Sequence, residues 1–240
     1  MDIYSNIRTS VAENKRLLAV LIDPDKMELD NVEAIVAKIN ESKATHIFVG
    51  GSEVDEGITE TLVKAIKLYT KLPVVLFPGD VTQITNEADG ILFLSLISGR
   101  NPDYLISKHI EAISKLTKTQ LEILPTGYLL IENGKQTAVE RVSNTKPLVR
   151  SNIQQIVDTA KAGELLGMKL IYLEAGSGAT HPIESEIISA VKEELNIPLI
   201  VGGGIRTKTQ LDAAYNAGAD LVVIGSAFEK NLYFFEQLKL

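Results

Sequence analysis

The stretch PLIVGGGIRTKTQLDAAYNAGADLVVIGSA, residues 198–227, decides the fold because two apolar runs flank one amphipathic segment. Apolar runs without polar alternation are typical of strands that are covered on both faces of a sheet. Gly218 stands where a glycine commonly ends a helix. The stretch therefore predicts a strand, a helix and a second strand parallel to the first.

The same alternation of apolar runs and amphipathic segments continues from end to end of the 240 residues, without a linker or a shift in composition. It predicts a single (β/α)8 TIM barrel over residues 1–240. A doubly wound open sheet is the alternative, but its glycine fingerprint is missing after the first strand. The predicted strands are 17–23, 46–51, 73–79, 90–98, 121–127, 169–176, 198–205 and 221–227.

Two connections depart from the regular barrel pattern. Only residues 80–89 separate the third and fourth strands, so the outer helix after strand 3 is predicted to be reduced or missing. The segment 127–152 after strand 5 is long, and its Asn133-Gly134 pair predicts a β-hairpin insertion. Loops after barrel strands lie on the catalytic face. We expect the hairpin to wall or cover an active site, with a decorative insertion as the alternative.

The overall composition narrows the class of protein. A net charge of −7 argues against a nucleic-acid partner, and the absence of cysteine excludes disulfides and thiolate chemistry. The N-terminus lacks an apolar signal core, and no apolar run approaches the roughly 18 residues of a membrane span. We therefore expect a cytoplasmic protein with at most peripheral membrane contact.

The ends of the first two predicted strands carry oxygen-bearing side chains. Asp23 ends an apolar strand, where a carboxylate is costly to bury unless it is paired, hydrogen-bonded or bound to a metal. Ser52 follows two glycines at the end of strand 2. Together they could offer hard oxygen ligands to Mg²⁺. The alternatives are a turn acid and a glycine-rich turn.

Glycines end the last two predicted strands, at Gly202–Gly204 and at Gly225-Ser226. Barrel loops 7 and 8 often build a phosphate site from exposed backbone N–H groups. The two motifs together predict a site for a phosphate monoester.

Strand 6 carries Tyr172 and Glu174 on one face, because side chains alternate along a strand. At the mouth of a barrel this pair would grip a hydroxyl, and the carboxylate could act as a general base. A buried Glu174 paired with a Lys or Arg is the structural alternative. A serine nucleophile turn at Ser177 is disfavoured, because the Gly-x-Ser-x-Gly pattern is not present.

Five motifs in this order, LIDPDK, VGGS, YLEAGSGA, IVGGGIRT and VVIGSAFEKN, resemble the geranylgeranylglyceryl phosphate synthase family, which includes heptaprenylglyceryl phosphate synthases. The resemblance covers nearly the whole chain. It implies an Mg²⁺-dependent prenyltransferase that joins sn-glycerol 1-phosphate to a polyprenyl diphosphate through an ether bond. The motif wording is closer to the geranylgeranyl branch, and a longer heptaprenyl donor is the alternative.

The resemblance also implies residue roles. Asp23 and Ser52 would bind Mg²⁺, and Tyr172 and Glu174 would be catalytic, holding and deprotonating the glycerol hydroxyl. The substrate-binding positions would be Tyr172, Leu173, Glu174, Ala175, Gly176, Ser177, Gly178, Gly203, Gly204, Gly225 and Ser226.

Two positions depart from the family pattern. Many members have Asn where this chain has Ser226, although the backbone N–H could still serve. Some members have Lys where this chain has Leu21, so one cationic contact to the diphosphate must come from elsewhere.

The prenyl tail is too long for a packed barrel interior. We expect it to leave through the gap near residues 80–89, beside an apolar hairpin face of Tyr128, Leu129 and Leu130. Self-association as a dimer or hexamer is expected, and the late aromatic residues would pack either an interface or the last helix. These late residues are Phe228, Tyr233, Phe234 and Phe235.

Two rival functions stay open at this point. One is a phosphate-binding barrel isomerase or lyase, which would share the late glycines. The other is a non-enzymatic sensor of glycerol phosphate or polyprenyl groups.

Overall fold

Eight parallel strands pair in chain order, and the last one closes back on the first. The computed structural model describes residues 2–52 and 54–225, and the barrel lies within these ranges. The predicted TIM barrel is therefore confirmed. The strands are β1 Leu17–Ile22, β2 His46–Val49, β3 Val74–Leu76, β4 Gly90–Leu96, β5 Glu122–Leu130, β6 Leu170–Glu174, β7 Leu199–Gly202 and β8 Leu221–Ile224.

Helices cover the outside of this barrel, and one more precedes it. Gly218 follows the helix before β8 with φ of +109°, as the sequence predicts for a helix end, and Gly167 follows the helix before β6 with φ of +94°. The helices are α1 Ile3–Ala12, α2 Val32–Asn40, α3 Ile58–Lys67, α4 Lys108–Leu116, α5 Ala138–Ser143, α6 Ile153–Leu165, α7 Ser185–Glu194 and α8 Lys208–Asn216.

Strand alternation separates two hydrophobic cores. Phe48, Leu92 and Tyr172 belong to the core inside the barrel, whereas Leu173 and Ala175 belong to the core between strands and helices. Tyr172 and its neighbour Leu173 therefore face opposite sides, as the sequence predicts.

Helix α1 closes the barrel at the amino-terminal ends of the strands. Ile3 and Ile7 are buried in the inner core, and Tyr4 N donates a hydrogen bond of 2.8 Å to Glu122 Oε1 at the start of β5. Within the part of the chain that the structure describes, this plug leaves the carboxyl ends of the strands as the route into the interior.

The connection from β3 to β4 contains only a 3₁₀ turn, Val81–Gln83. The prediction of a reduced helix after strand 3 is confirmed. Helix α4 takes over part of the cover, because Lys115 Nζ donates to Val81 O at 3.1 Å.

The hairpin predicted after strand 5 is wrong. Tyr128, Leu129 and Leu130 belong to β5 itself, and the insertion that follows contains helix α5. One long-range and one local contact favour this path over a hairpin: Asn133 Nδ2 donates to Ala175 O, and the Thr137 hydroxyl caps α5 by accepting from Glu140 N. The Asn133 side chain is committed to β6 and not to a hairpin turn.

Within the described ranges, no helix is both long and apolar enough to cross a membrane. Ser226 and the late aromatic residues Phe228, Tyr233, Phe234 and Phe235 lie outside the described residues.

Candidate active site

One cavity of about 450 Å³ opens at the carboxyl ends of the strands. It joins three zones that differ in chemistry. We call them the carboxylate pocket (Tyr172, Glu174, Gly176–Gly178, Gly203, Gly204), the acidic rim (Asp23, Asp25, Ser52) and the apolar groove (Ile84, Ile91, Phe93, Ala112, Val142). The predicted catalytic, metal-binding and glycine positions that are described thus meet in a single space, with Gly225 also in its wall.

Glu174 is the buried acid of the carboxylate pocket, with 6% of its surface exposed. Its Oε1 accepts a hydrogen bond of 2.6 Å from Gly176 N. Burial raises the pKa of Glu174 to about 7, although this backbone N–H acts in the opposite direction. The partner is a backbone group and not a Lys or Arg, unlike the structural alternative. A carboxyl with a pKa near neutrality is suited to accept a proton at physiological pH.

Tyr172 lies fully buried beside Glu174 and stacks on Phe77, with ring centroids 5.4 Å apart. Its hydroxyl lies close enough to the Glu174 carboxyl to lower the pKa of that group, but it forms no well-aligned hydrogen bond with a described residue. Burial, and then the charge of Glu174, raise the pKa of Tyr172 well above its usual value. A buried hydroxyl without a partner is costly, and a ligand hydroxyl at Glu174 would satisfy it.

Glycines with left-handed backbone also line the carboxylate pocket. Gly176, Gly178, Gly203 and Gly204 have φ of +99°, +67°, +84° and +73°. A Cβ at Gly203 would collide with Glu174 Oε1, so this position requires glycine for space as well as for conformation. Such loops turn backbone N–H groups toward a concave surface and commonly bind anions.

The side chains of Leu173 and Ala175 lie in the outer core and do not line the cavity. Ala175 also uses both backbone groups within the protein, because its N donates to Gly202 O and its O accepts from Asn133. The structure therefore gives these two predicted substrate-binding positions a supporting role.

The acidic rim gathers carboxylates around Asp23. Lys26 Nζ lies 2.5 Å from Asp23 Oδ2, and Asp25 N donates to Asp23 Oδ1 at 3.2 Å. Burial and the charges of Asp23 and Asp55 raise the pKa of Asp25. A Cβ at Gly51 would lie 2.7 Å from Asp23 Oδ1, so glycine leaves the approach to this oxygen open.

The donors of this rim fit a hard cation. Asp23 and Ser52 both line the cavity and offer oxygen atoms. Across residues 2–52 and 54–225, no three His, Cys, Asp or Glu side chains are grouped to hold a metal. A cation here would need substrate or water oxygens as further ligands, as Mg²⁺ commonly does.

Sequence reasoning missed an ion pair near the apolar groove. Lys108 donates a hydrogen bond to Asp80, and its Nζ lies 5.5 Å from the ring centroid of Tyr104. Burial favours a raised pKa for Asp80, but the hydrogen bond from Lys108 keeps that pKa below its usual value. The sequence pattern of α4 gives no signal that Lys108 differs from Lys115, the other lysine of that helix. Lys26 and Lys108 both line the cavity, together with the apolar Leu21, and supply cations there.

The apolar groove runs between β4 and α4, beside the short β3–β4 connection. Val81 and Ile84 from that connection line it, as expected for the gap near residues 80–89. Of the expected hairpin residues, Tyr128 lines the cavity, whereas Leu129 lies in the outer core. The groove also receives buried His109, whose Nε2 lies 3.1 Å from Ser95 Oγ.

A closed α/β barrel with a buried acid and glycine loops after β6 and β7 defines a barrel enzyme with a site of the kind that binds phosphates. The model of the PcrB family matches residues 9–238. The chain therefore belongs to the PcrB family.

Relatives of known name extend over nearly the whole chain. A geranylgeranylglyceryl phosphate synthase of Flavobacterium johnsoniae is 55% identical over 234 residues, which is 98% of this chain and 96% of that protein. A protein of the same name from Zunongwangia profunda is 60% identical over 216 residues, with 90% and 92% covered.

A solved structure agrees with these sequence matches. The (S)-3-O-geranylgeranylglyceryl phosphate synthase of Thermoplasma acidophilum, in complex with its substrate sn-glycerol-1-phosphate, superposes with a TM-score of 0.92 at 31% identity. The match covers 99% of this chain and 96% of that one. The resemblance inferred from the motifs is confirmed, and so is the prediction of a prenyltransferase.

Proposed function

We propose that this prenyltransferase joins sn-glycerol 1-phosphate to geranylgeranyl diphosphate through an ether bond, with Mg²⁺, and releases diphosphate. The observation that carries the proposal is the single cavity in which a buried carboxyl meets an apolar groove. The substrate in the Thermoplasma acidophilum structure supports the acceptor, and the shared name of the relatives supports the donor.

The carboxylate pocket offers a separate binding group for each end of the acceptor, the phosphate and the 3-hydroxyl. The left-handed glycine loops would hold its phosphate through backbone N–H groups. Its 3-hydroxyl would then reach Glu174 and the unpartnered hydroxyl of Tyr172. Fixing both ends of a three-carbon molecule orients the hydroxyl that reacts.

The reaction needs one proton acceptor in this pocket. As the 3-hydroxyl oxygen bonds to C1 of the prenyl group, the bond from C1 to the diphosphate oxygen breaks and Glu174 takes the hydroxyl proton. Tyr172 holds the attacking oxygen in line. Asp23 and Ser52 would hold Mg²⁺, whose charge offsets that of the leaving diphosphate.

The apolar groove would receive the prenyl tail. Its lining of Ile84, Ile91, Phe93 and Val142 removes apolar surface from water, which favours a long tail by roughly 25 cal/mol per Å² buried. The apolar lining would also keep water away from an allylic carbon that develops positive charge.

An activity test with matched donors checks the proposal. The purified chain is incubated with Mg²⁺, sn-glycerol 1-phosphate and farnesyl, geranylgeranyl or heptaprenyl diphosphate, and sn-glycerol 3-phosphate serves as the control acceptor. We expect the geranylgeranyl ether to form fastest, only with sn-glycerol 1-phosphate and only with Mg²⁺. If the heptaprenyl group is transferred faster, heptaprenyl diphosphate replaces geranylgeranyl diphosphate as the assigned donor. If no ether forms with any donor, the proposed function is refuted.

A further inference from the structure

We propose that two cations beside the loop Gly176–Gly178, Lys135 and Arg206, bind the phosphate of the acceptor together with glycine N–H groups. The inference rests on the proposed function, because it assigns the phosphate of that acceptor. The sequence motifs predict a phosphate site made only of backbone N–H groups, and the proposal adds two positively charged side chains to it.

Lys135 reaches the glycine loop from the insertion after β5. Its Nζ lies 3.4 Å from the position that a Cβ of Gly178 would occupy. The insertion is fixed at this place, since Asn133 donates to Ala175 O and Thr137 Cβ lies 3.1 Å from the Cβ position of Gly176. These contacts anchor the backbone on both sides of the exposed Lys135, which places its side chain beside the loop.

Arg206 reaches the end of the same loop from the segment between β7 and α8. Its side chain lines the cavity, and its Nη2 donates to Ala179 O, just beyond the glycine loop. This bond uses one of the five N–H donors of the guanidinium group, so others can meet a phosphate oxygen.

The charges in the pocket call for these cations. A phosphate monoester carries about −1.5 to −2 charges at neutral pH. The N–H of Gly176 already donates to Glu174 Oε1, so it is committed to the protein. Glu174 must also lose its proton in the same pocket to act as a base. Two cations would offset the repulsion between this carboxylate and the phosphate.

Lys135 differs in its pairing from the other lysines of these two segments. Across the described ranges, it forms no ion pair with an acidic side chain. Lys146, later in the insertion, pairs with Glu140 at 2.8 Å, and Lys208, at the start of α8, pairs with Asp212 at 2.8 Å. Lys146 and Lys208 are therefore matched controls on the same two segments.

The test measures binding without any prenyl donor. Calorimetric titration gives the Kd of sn-glycerol 1-phosphate, inorganic phosphate and uncharged glycerol for the wild type and for K135Q, R206Q, K146Q and K208Q. We expect K135Q and R206Q each to weaken glycerol phosphate and inorganic phosphate by about 10- to 30-fold, the effect of one charge-assisted hydrogen bond. K146Q and K208Q should stay within twofold of the wild type.

K135Q decides the outcome, because Arg206 also tethers the loop at Ala179 and its loss could loosen the pocket. A Kd of K135Q within twofold of the wild type, with thermal unfolding unchanged, overturns the proposal. An acceptor that binds with the expected variant pattern while no ether forms with any donor would refute the proposed function and leave the phosphate assignment standing. If K135Q forms the ether normally, with a wild-type KM for sn-glycerol 1-phosphate, the phosphate assignment is refuted and the proposed function stands.

Discussion

The connections β6–β7 and β3–β4 line the same cavity, but the first contributes polar groups and the second contributes apolar side chains. The first places Glu174 and a glycine loop at the mouth and then forms helix α7, as a regular barrel does. The second replaces the helix by the turn Val81–Gln83 and leaves apolar side chains along a groove. The omission of one helix thus gives the barrel an apolar half beside its polar half. A ligand with a charged head and a long apolar tail matches this division.

The polar half should show the largest single effect. We expect Glu174→Gln to lower kcat by about 10³-fold, because general-base catalysis commonly contributes 10²- to 10⁴-fold. Steady-state kinetics with saturating donor measure the change, and circular dichroism checks that the fold is kept. A variant with full activity would return Glu174 to a structural role.

Gly203→Ala should have the next largest effect. The new Cβ would collide with Glu174 Oε1 and would force a left-handed residue, with φ of +84°, away from its conformation. We expect kcat/KM to fall by about 10²-fold, since a displaced base loses its alignment. Gly167→Ala is the control, because Gly167 also has a left-handed backbone, with φ of +94°, but has open space at its Cβ position and does not line the cavity, so kcat/KM should change little. Equal losses in both variants would contradict the collision with Glu174.

The apolar half of the cavity should determine which prenyl chain length the enzyme accepts. Ala112 lines the groove and is 4% exposed, so Ala112→Phe fills space that a tail would occupy. We expect the KM for geranylgeranyl diphosphate to rise by about tenfold or more, with little change for a farnesyl donor, as several buried CH₂ groups are lost. Ile113→Phe, on the exposed side of the same helix at 50% exposure, is the control. Unchanged chain-length preference in Ala112→Phe would place the tail elsewhere.

The pH dependence of Glu174 should be the mildest effect. Its folded pKa of about 7 lies above the ordinary 4.5, so ionisation opposes folding. Stability from the neutral form is complete below pH 4.5 and is lost as the pH rises through about 7, by about 3 kcal/mol in total. Urea unfolding at pH 5 and pH 8 should show this loss in the wild type and not in Glu174→Gln. In parallel, kcat/KM should fall about tenfold per pH unit below pH 7. If the unfolding free energies of the two proteins depend on pH in the same way, burial does not raise the pKa of Glu174.

Local sequence patterns correctly predicted most elements of the barrel. All eight strands form where apolar runs predict them, and alternation placed Tyr172 and Glu174 on one face. The Asn133-Gly134 pair misled because a turn signal reports backbone preference and not the partner that the asparagine finds. That partner, Ala175 O, is 42 residues away along the chain.

The sequence by itself determined the strand order, the glycine loops and the buried acid, since each depends on residue type and on periods of two or 3.6 residues. Only the tertiary structure decided how Lys108 meets Asp80, how Lys135 reaches Gly178, and how far burial raises the pKa of Glu174. These properties depend on distances between segments that are far apart in the chain, and no local pattern encodes such distances.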